Sequence, residues 1–291
     1  MSWLASLTGT KAAAIDAHVH FYNCFSHDRF LDHAYFNLSE ASRRLGRSDD
    51  GVLRILMLAE TSEEHYFARC AGQAASLRQS DELADDTRWR FYRTEEECSL
   101  VACKKDRAIL VIAGRQVATA EDMEVLILGT ERIVSDGLPI GAVLESAMSM
   151  KAIHVIPWGA GKWLFRRGGL LSRLMESRTQ DGFYLGDQGG RPVLWPTPRH
   201  LRKAEERGIR ILPGADPLPF PEEISRVGSY GFLMEASVDP LRPAAAIRAI
   251  LRNPEVSIVR FGRRQQAYRF IATQLKMQVR KRRRLLHART N

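Results

Sequence analysis

The chain has 291 residues, 45% hydrophobic and 26% charged, which excludes wholesale disorder and allows one sizeable core. Its net charge of +9 is concentrated: from Val256 onward there are eleven Lys and Arg and no acid, against 32 basic and 34 acidic residues elsewhere, so the body is not a basic surface. No run of about eighteen apolar residues is available to cross a membrane, residues 1–14 lack the basic start of a signal peptide, and the four cysteines form no CxxC, which together point to a cytoplasmic protein with reduced thiols.

The first predicted element is a short apolar strand carrying Asp16, His18 and His20 on alternate positions. In an extended chain such residues share one face. Two imidazoles on one rigid strand supply half of a site for zinc, iron or manganese. A helix over 28–45 follows, then a buried strand over 52–60. The next helix is predicted over 62–79, with Thr61 or Ser62 as N-cap and Glu63 and Glu64 in its first turn. Segments 89–92, 99–102, 108–112 and 124–128 read as sheet. Beyond them, helices over 140–150, 162–176, 198–207, 221–226 and 243–251 alternate with strands over 152–158, 182–185, 209–212, 231–234 and 257–261. Such alternation argues for a parallel sheet with enough repeats to close: an α/β fold, a distorted (β/α)7-8 TIM-like barrel with an inserted β-hairpin region. One barrel domain over 1–261 and a tail over 262–291 is the economical division.

In a barrel the chemistry gathers where strands end. His18 and His20 close the first strand and Glu60 the second. Gln116 follows the apolar run over 110–113. Asp187 ends the strand over 182–185, just before a glycine turn to Arg191, whose guanidinium suits bidentate contact with an anion. Asp216 stands in Pro213-Gly214-Ala215-Asp216-Pro217, where glycine and proline fix a sharp turn. Lys162 ends a glycine-rich stretch at a predicted helix start, a favourable place for an anion. His154 is expected one layer deeper, as a core histidine bonded to Asp16 or a backbone carbonyl.

In the tail, Tyr268, Ile271, Ala272, Leu275 and Val279 recur at helical spacing, so an amphipathic helix docked on the domain is expected, running into the basic stretch 280–284. One reading of that stretch is attraction to an acidic surface, membrane lipid or nucleic acid. The other is a solvated helix end with cations near its C-terminus.

His18-Val19-His20 and Gly214-Ala215-Asp216 resemble the opening and closing metal motifs of the polymerase and histidinol phosphatase (PHP) family, D-x-H-x-H and G-S-D-A-H. The stretches 113–119 and 122–129 resemble that family's middle hairpin. The resemblance implies a distorted seven-stranded α/β barrel that binds up to three divalent metals and hydrolyses phosphate esters. Gln116 stands where the family has a metal-binding Glu, Leu126 or Val125 where it has His, and Ile156 and Leu218 replace two further histidines. The amidohydrolase superfamily, with HxH on its first strand and G-S-D-x-P at its last, is similar as well. The implied protein is a divalent-metal-dependent hydrolase, most readily a phosphoesterase. His18, His20, Asp216 and Glu60 would hold one or two ions (Zn, Mn or Fe), with Glu60 and Asp216 serving catalysis. Lys162, Arg191 and Asp187 would bind a small phosphorylated substrate. The alternative is a barrel that has lost the metal cluster and acts as a binding or scaffold protein.

Overall fold

The computed structural model describes residues 7–76, 87–177 and 182–290, with backbone alone for 281 and 283–290. Among the described residues, twelve strands form two mixed sheets. The first has the order β12 (Ile258–Gly262), β11 (Tyr230–Met234), β1 (Ala12–Val19), β2 (Val52–Leu58), β5 (Arg107–Ile112), β4 (Ser99–Lys104), β3 (Arg90–Arg93). The second runs β10 (Ile211–Gly214), β9 (Phe183–Gln188), β8 (Ile153–Pro157), β7 (Glu124–Leu128), β6 (Gly114–Ala118). The expected closed TIM-like barrel is therefore corrected to two open sheets. The cause lies in the pairing: β1–β2–β5 and β8–β9–β10 are parallel, but the meander through β3, β4 and β5, the hairpin of β6 with β7, and the β1–β11–β12 edge are antiparallel. Hairpins replace the repeated strand and crossover-helix unit from which an all-parallel barrel is built. The sheets meet through single bonds rather than ladders. Glu60 N donates to Gly114 O and Gln116 N to Glu60 O on one side, and Asp216 N to His18 O on the other.

The core fills three spaces. One lies between the sheets, where Ile15, Met57 and Leu110 face Leu126, Val155 and Leu212. A second packs the outer face of the first sheet against α1 (His27–Arg44) and α2 (Tyr66–Gln73), α1 supplying buried Phe30, Leu31, Ala34 and Leu38 at helical spacing. The third packs the second sheet under α3 (Ile140–Ser149), α4 (Phe165–Ser177) and α5 (Arg199–Glu206). Helix α6 (Pro243–Arg252) covers the lower end of the central core through Ala244, Ile247 and Leu251. The expected helix over 62–79 begins only at Tyr66, because residues 61–64 form a turn closed by Glu64 N to Thr61 O; residues 77–79 lie outside the described residues. The four cysteines are unpaired. Among the described residues no helix is long and apolar enough to cross a membrane.

Helix α7 (Ala267–Thr290) corrects a second expectation. Its apolar stripe is not the docked face. Tyr268, Ile271, Leu275 and Val279 are exposed, while Thr273 is buried and Phe270, Met277 and Arg280 half-buried on the opposite side. Polar contacts decide this orientation: Lys276 pairs with Glu222, Arg280 Nη1 donates to Pro219 O (2.7 Å), and the Phe270 ring lies against Trp195.

Candidate metal centre

Strand β1 is buried at every position, and its pairing with β2 slips by one residue between Asp16 and Val19. Such a bulge re-aims side chains. Ala12, Ala14, Val19 and Phe21 belong to the outer core, whereas Ala13, Ile15 and Ala17 belong to the central one, so the alternation changes phase across the bulge. Asp16 and the two histidines therefore do not share one simple face. The Asp16 carboxylate accepts from the backbone N–H of Ala215 (2.8 Å), Gly228 (2.9 Å) and His18 (3.3 Å). It clamps β1 to the end of β10 and to the turn before β11. Burial pushes its carboxyl up to about 7, against the pull of those three N–H donors.

The Gly214-Ala215-Asp216 segment has a physical reason for each residue. A Cβ on Gly214 would stand 2.3 Å from His18 Cβ, so only glycine lets β10 cross β1 here. Ala215 N is held by Asp16. Asp216 adopts a left-handed φ of 45°, a conformation that Asp tolerates better than most residues, and its N–H donates to His18 O (2.9 Å). That turn aims its carboxylate at the imidazoles.

Three ligand atoms converge as a result. His18 Nε2 and His20 Nε2 are 3.1 Å apart, and Asp216 Oδ1 lies 3.6 Å from the first and 3.7 Å from the second. Atoms about 2.1 Å from a zinc-sized ion in tetrahedral geometry lie roughly 3.4 Å from one another. The Asp216 distances match ligands around one ion better than hydrogen-bonded partners, while the two imidazoles stand at a separation that also suits a hydrogen bond. His20 Nδ1 lies 3.1 Å from Glu64 Oε2. A carboxylate only accepts, so it fixes the Nδ1–H tautomer of neutral His20 and leaves the Nε2 lone pair facing the cluster. The same oxygen accepts from Thr61 N (2.9 Å), and Arg115 Nη1 donates to Glu64 O (3.1 Å), which fixes the turn. Gln116 Oε1 is 3.0 Å from His18 Nε2, and Tyr22 stacks on the His20 ring. Burial holds His18 below the ordinary imidazole value, with Asp216 pulling the other way. At His20 burial also pulls down, but the Glu64 bond and charge, with Asp216, outweigh it and leave the group raised. Two imidazole nitrogens, a carboxylate oxygen and a carboxylate-backed ring fit a divalent ion. Among the described residues this is the one group of three or more His, Cys, Asp or Glu able to hold a metal.

None of the other sequence-predicted residues joins this cluster. Glu60 is buried, accepts from Phe67 N (2.9 Å) and pairs with Arg115 (3.5 Å), tying the strand end to α2. Lys162 stands at the rim beside Glu124 (3.2 Å) and Asp122 O (3.2 Å), and α4 starts later, at Phe165. Arg191 grips Asp187 through two bonds (2.8 and 2.7 Å), and Tyr230 O–H donates to the same carboxylate (2.8 Å). His154 is buried on β8 with Nδ1 3.4 Å from Ala152 O.

Beside Tyr22 and Glu64, which both contact His20, opens a cleft of about 510 Å³ walled also by Phe21, Glu63, Pro219 and Met277, with Arg69 and Arg280 as its cations; His18, His20 and Asp216 are not in its walls. Sequence reasoning did not single out Glu64, which backs His20, or Arg69 in the cleft wall, and it read Arg280 only as part of the basic tail. The signal for Glu64 was a run of four polar or acidic residues directly after a buried strand, a stretch readable as a loop instead of a helix start.

No protein-family model and no curated protein sequence matches the chain. Among solved structures it is similar to PsfC from Pseudomonas syringae PB-5123, with 12% identity and a TM-score of 0.53 over 91% of this chain and 96% of that one, a likeness of fold alone. A second, looser likeness is to a two-domain protein from Bacteroides vulgatus ATCC 8482 containing a predicted PHP-like metal-dependent phosphoesterase, with 11% identity and a TM-score of 0.42 over 87% of this chain and 66% of that one.

Proposed function

We propose that this protein is a divalent-metal-dependent hydrolase acting on a small phosphate ester. The convergence of His18 Nε2, His20 Nε2 and Asp216 Oδ1, with Glu64 behind His20, carries the reading. The set fits one ion of zinc, manganese or iron(II). When bound, such an ion supplies Lewis acidity toward a phosphoryl oxygen and toward water. The protein's own part is positional. Glu64 orients His20, and Asp16 holds the strand ends at ligand distance. Glu60 holds Arg115, which in turn fixes the Glu64 turn. Arg69 and Arg280 line the cleft, where two guanidinium groups suit the doubly charged end of a phosphate monoester. Gln116 brings a neutral amide oxygen to a place where a carboxylate would add charge for a second ion.

Metal analysis of protein purified without chelator, followed by a phosphate-ester panel, tests the proposal. About one equivalent of ion is expected, lost in His18→Ala and Asp216→Ala, together with phosphate release that chelator abolishes and added ion restores. Protein that takes up no zinc, manganese or iron(II) on titration would sink the metal reading. One that binds the ion yet releases no phosphate from any ester would leave a non-catalytic binding protein.

A further inference from the structure

The proposed chemistry leaves the outer face of α7 unused. Tyr268, Ile271, Leu275 and Val279 are 66%, 59%, 62% and 50% exposed. At about 100° per residue they fall within an arc of roughly 80°, one apolar stripe along three turns of helix. Exposed aliphatic and aromatic side chains scattered singly need no explanation, but a contiguous stripe does. The loop beside the start of the helix is exposed and apolar too, though its Trp195 meets Phe270 on the other side of the helix: Val193 N donates to Gln265 O, and Leu194 and Trp195 are 82% and 41% exposed. Arg269 and Arg282 are exposed on the same helix, the basic run 280–284 follows, and no acid occurs after Glu255.

We propose that this face of α7 lies on an anionic lipid surface, with the apolar stripe in the headgroup–acyl boundary and the arginines among the headgroups. Charge selects that occupant. A second copy of the helix would bring cations against cations with no acid in the segment to meet them. Nucleic acid would answer the charge but leave the aliphatic stripe in water. Anionic lipid answers both, as in helices that lie in the interface plane. The opposite face of α7 supplies Met277 and Arg280 to the cleft beside Tyr22 and Glu64. A bilayer on the outer face therefore stands about one helix diameter, roughly 10–12 Å, from that cleft.

Co-sedimentation of the full chain with vesicles tests the proposal without reference to hydrolysis or bound ion. Binding to phosphatidylserine-rich vesicles should exceed binding to pure phosphatidylcholine by at least about tenfold, and fall as salt is raised. The double variant Ile271→Asp, Leu275→Asp should lose that binding by at least about tenfold. Its denaturation midpoint should be unchanged, because both side chains are already exposed in the folded protein. In Leu275→Trp, indole emission should move to shorter wavelength on the anionic vesicles and stay in place on neutral ones. Equal vesicle binding by wild type and double variant, or no anionic preference, overturns the proposal. So does a wild-type dimer that the double variant makes monomeric, or duplex DNA binding stronger than vesicle binding and insensitive to the two aspartates.

Discussion

Two buried polar clusters stand at strand ends in this protein, and they are built on opposite principles. Around Asp187 every polar atom is answered: Oδ1 accepts from Arg191 Nε (2.8 Å) and Gln188 N (3.0 Å), Oδ2 from Arg191 Nη2 (2.7 Å) and Tyr230 O–H (2.8 Å). Charge is cancelled within the cluster, as a buried ion pair requires. Around His18 and His20 the ligand atoms converge on one point, with Gln116 Oε1 3.0 Å from His18 Nε2 beside them. Two Nε2 atoms face each other at 3.1 Å, and Asp216 Oδ1 stays at 3.6 and 3.7 Å, outside hydrogen-bonding distance. Saturation marks a cluster that holds the fold. Convergence of two imidazole nitrogens and a carboxylate oxygen suits a cluster able to hold an ion. Both regions were candidates for ligand chemistry on sequence grounds, and they differ in hydrogen-bond pattern.

The largest test of that contrast is Asp187→Ala. Removing the carboxylate leaves the Arg191 charge buried and unpaired, at 3% exposure, which costs about 3–5 kcal/mol of stability. Urea denaturation should show the loss, while the fraction still folded binds one equivalent of ion as the wild type does. Loss of ion binding without loss of stability would show that the two clusters have been assigned the wrong way round.

Gly214→Ala probes the other region through its backbone. The added methyl meets His18 Cβ at 2.3 Å and His18 N at 2.4 Å, and β1 cannot retreat without breaking the Asp216 N to His18 O bond. Overpacking of this kind costs about 1–3 kcal/mol. Because the strain falls between two proposed ligands, ion affinity should fall along with stability. A variant that is destabilised but keeps wild-type affinity would mean that the cluster does not depend on this crossing.

Glu64→Gln is finer. The amide oxygen still accepts from His20 Nδ1 but the charge is gone, so affinity for the ion should drop about 10–100-fold with the fold intact. Isothermal titration with zinc or manganese reads this directly. Unchanged affinity would reduce Glu64 to a turn-forming residue.

How far these assignments were legible in the sequence depended on whether the signal was local. His18, His20 and Asp216 announced themselves because HxH on a strand and an acid between glycine and proline are local patterns, and the structure brings all three within 4.8 Å. Glu64 did not, since acids after a possible N-cap look the same in a helix and in the turn that the chain forms before Tyr66. Strand positions were largely readable, but strand direction was not: nothing within 108–112 or 114–118 records whether the neighbour is parallel, and the antiparallel pairs are where the sheets depart from an all-parallel barrel. The stripe on α7 shows the limit most plainly. Periodicity established that one face is apolar, yet the contacts made by Phe270, Lys276 and Arg280 turned that face outward.

The smallest effect belongs to Tyr230→Phe, and it sharpens the comparison from the saturated side. The substitution removes only the hydroxyl that donates to Asp187 Oδ2 at 2.8 Å. Arg191 still holds both carboxylate oxygens, through Nε and Nη2, so no charge is left unpaired. The loss is one hydrogen bond to a charged acceptor, about 1.5 kcal/mol, a fraction of the cost of Asp187→Ala. The same pair of measurements applies: a small fall in the urea midpoint and unaltered ion affinity. If the cluster instead had a ligand to hold, the hydroxyl would be a free donor, and its removal would change binding of that ligand while leaving stability alone. A phosphate-ester KM that rises in Tyr230→Phe with no shift in the midpoint would move Asp187, Arg191 and Tyr230 from the scaffold into the site.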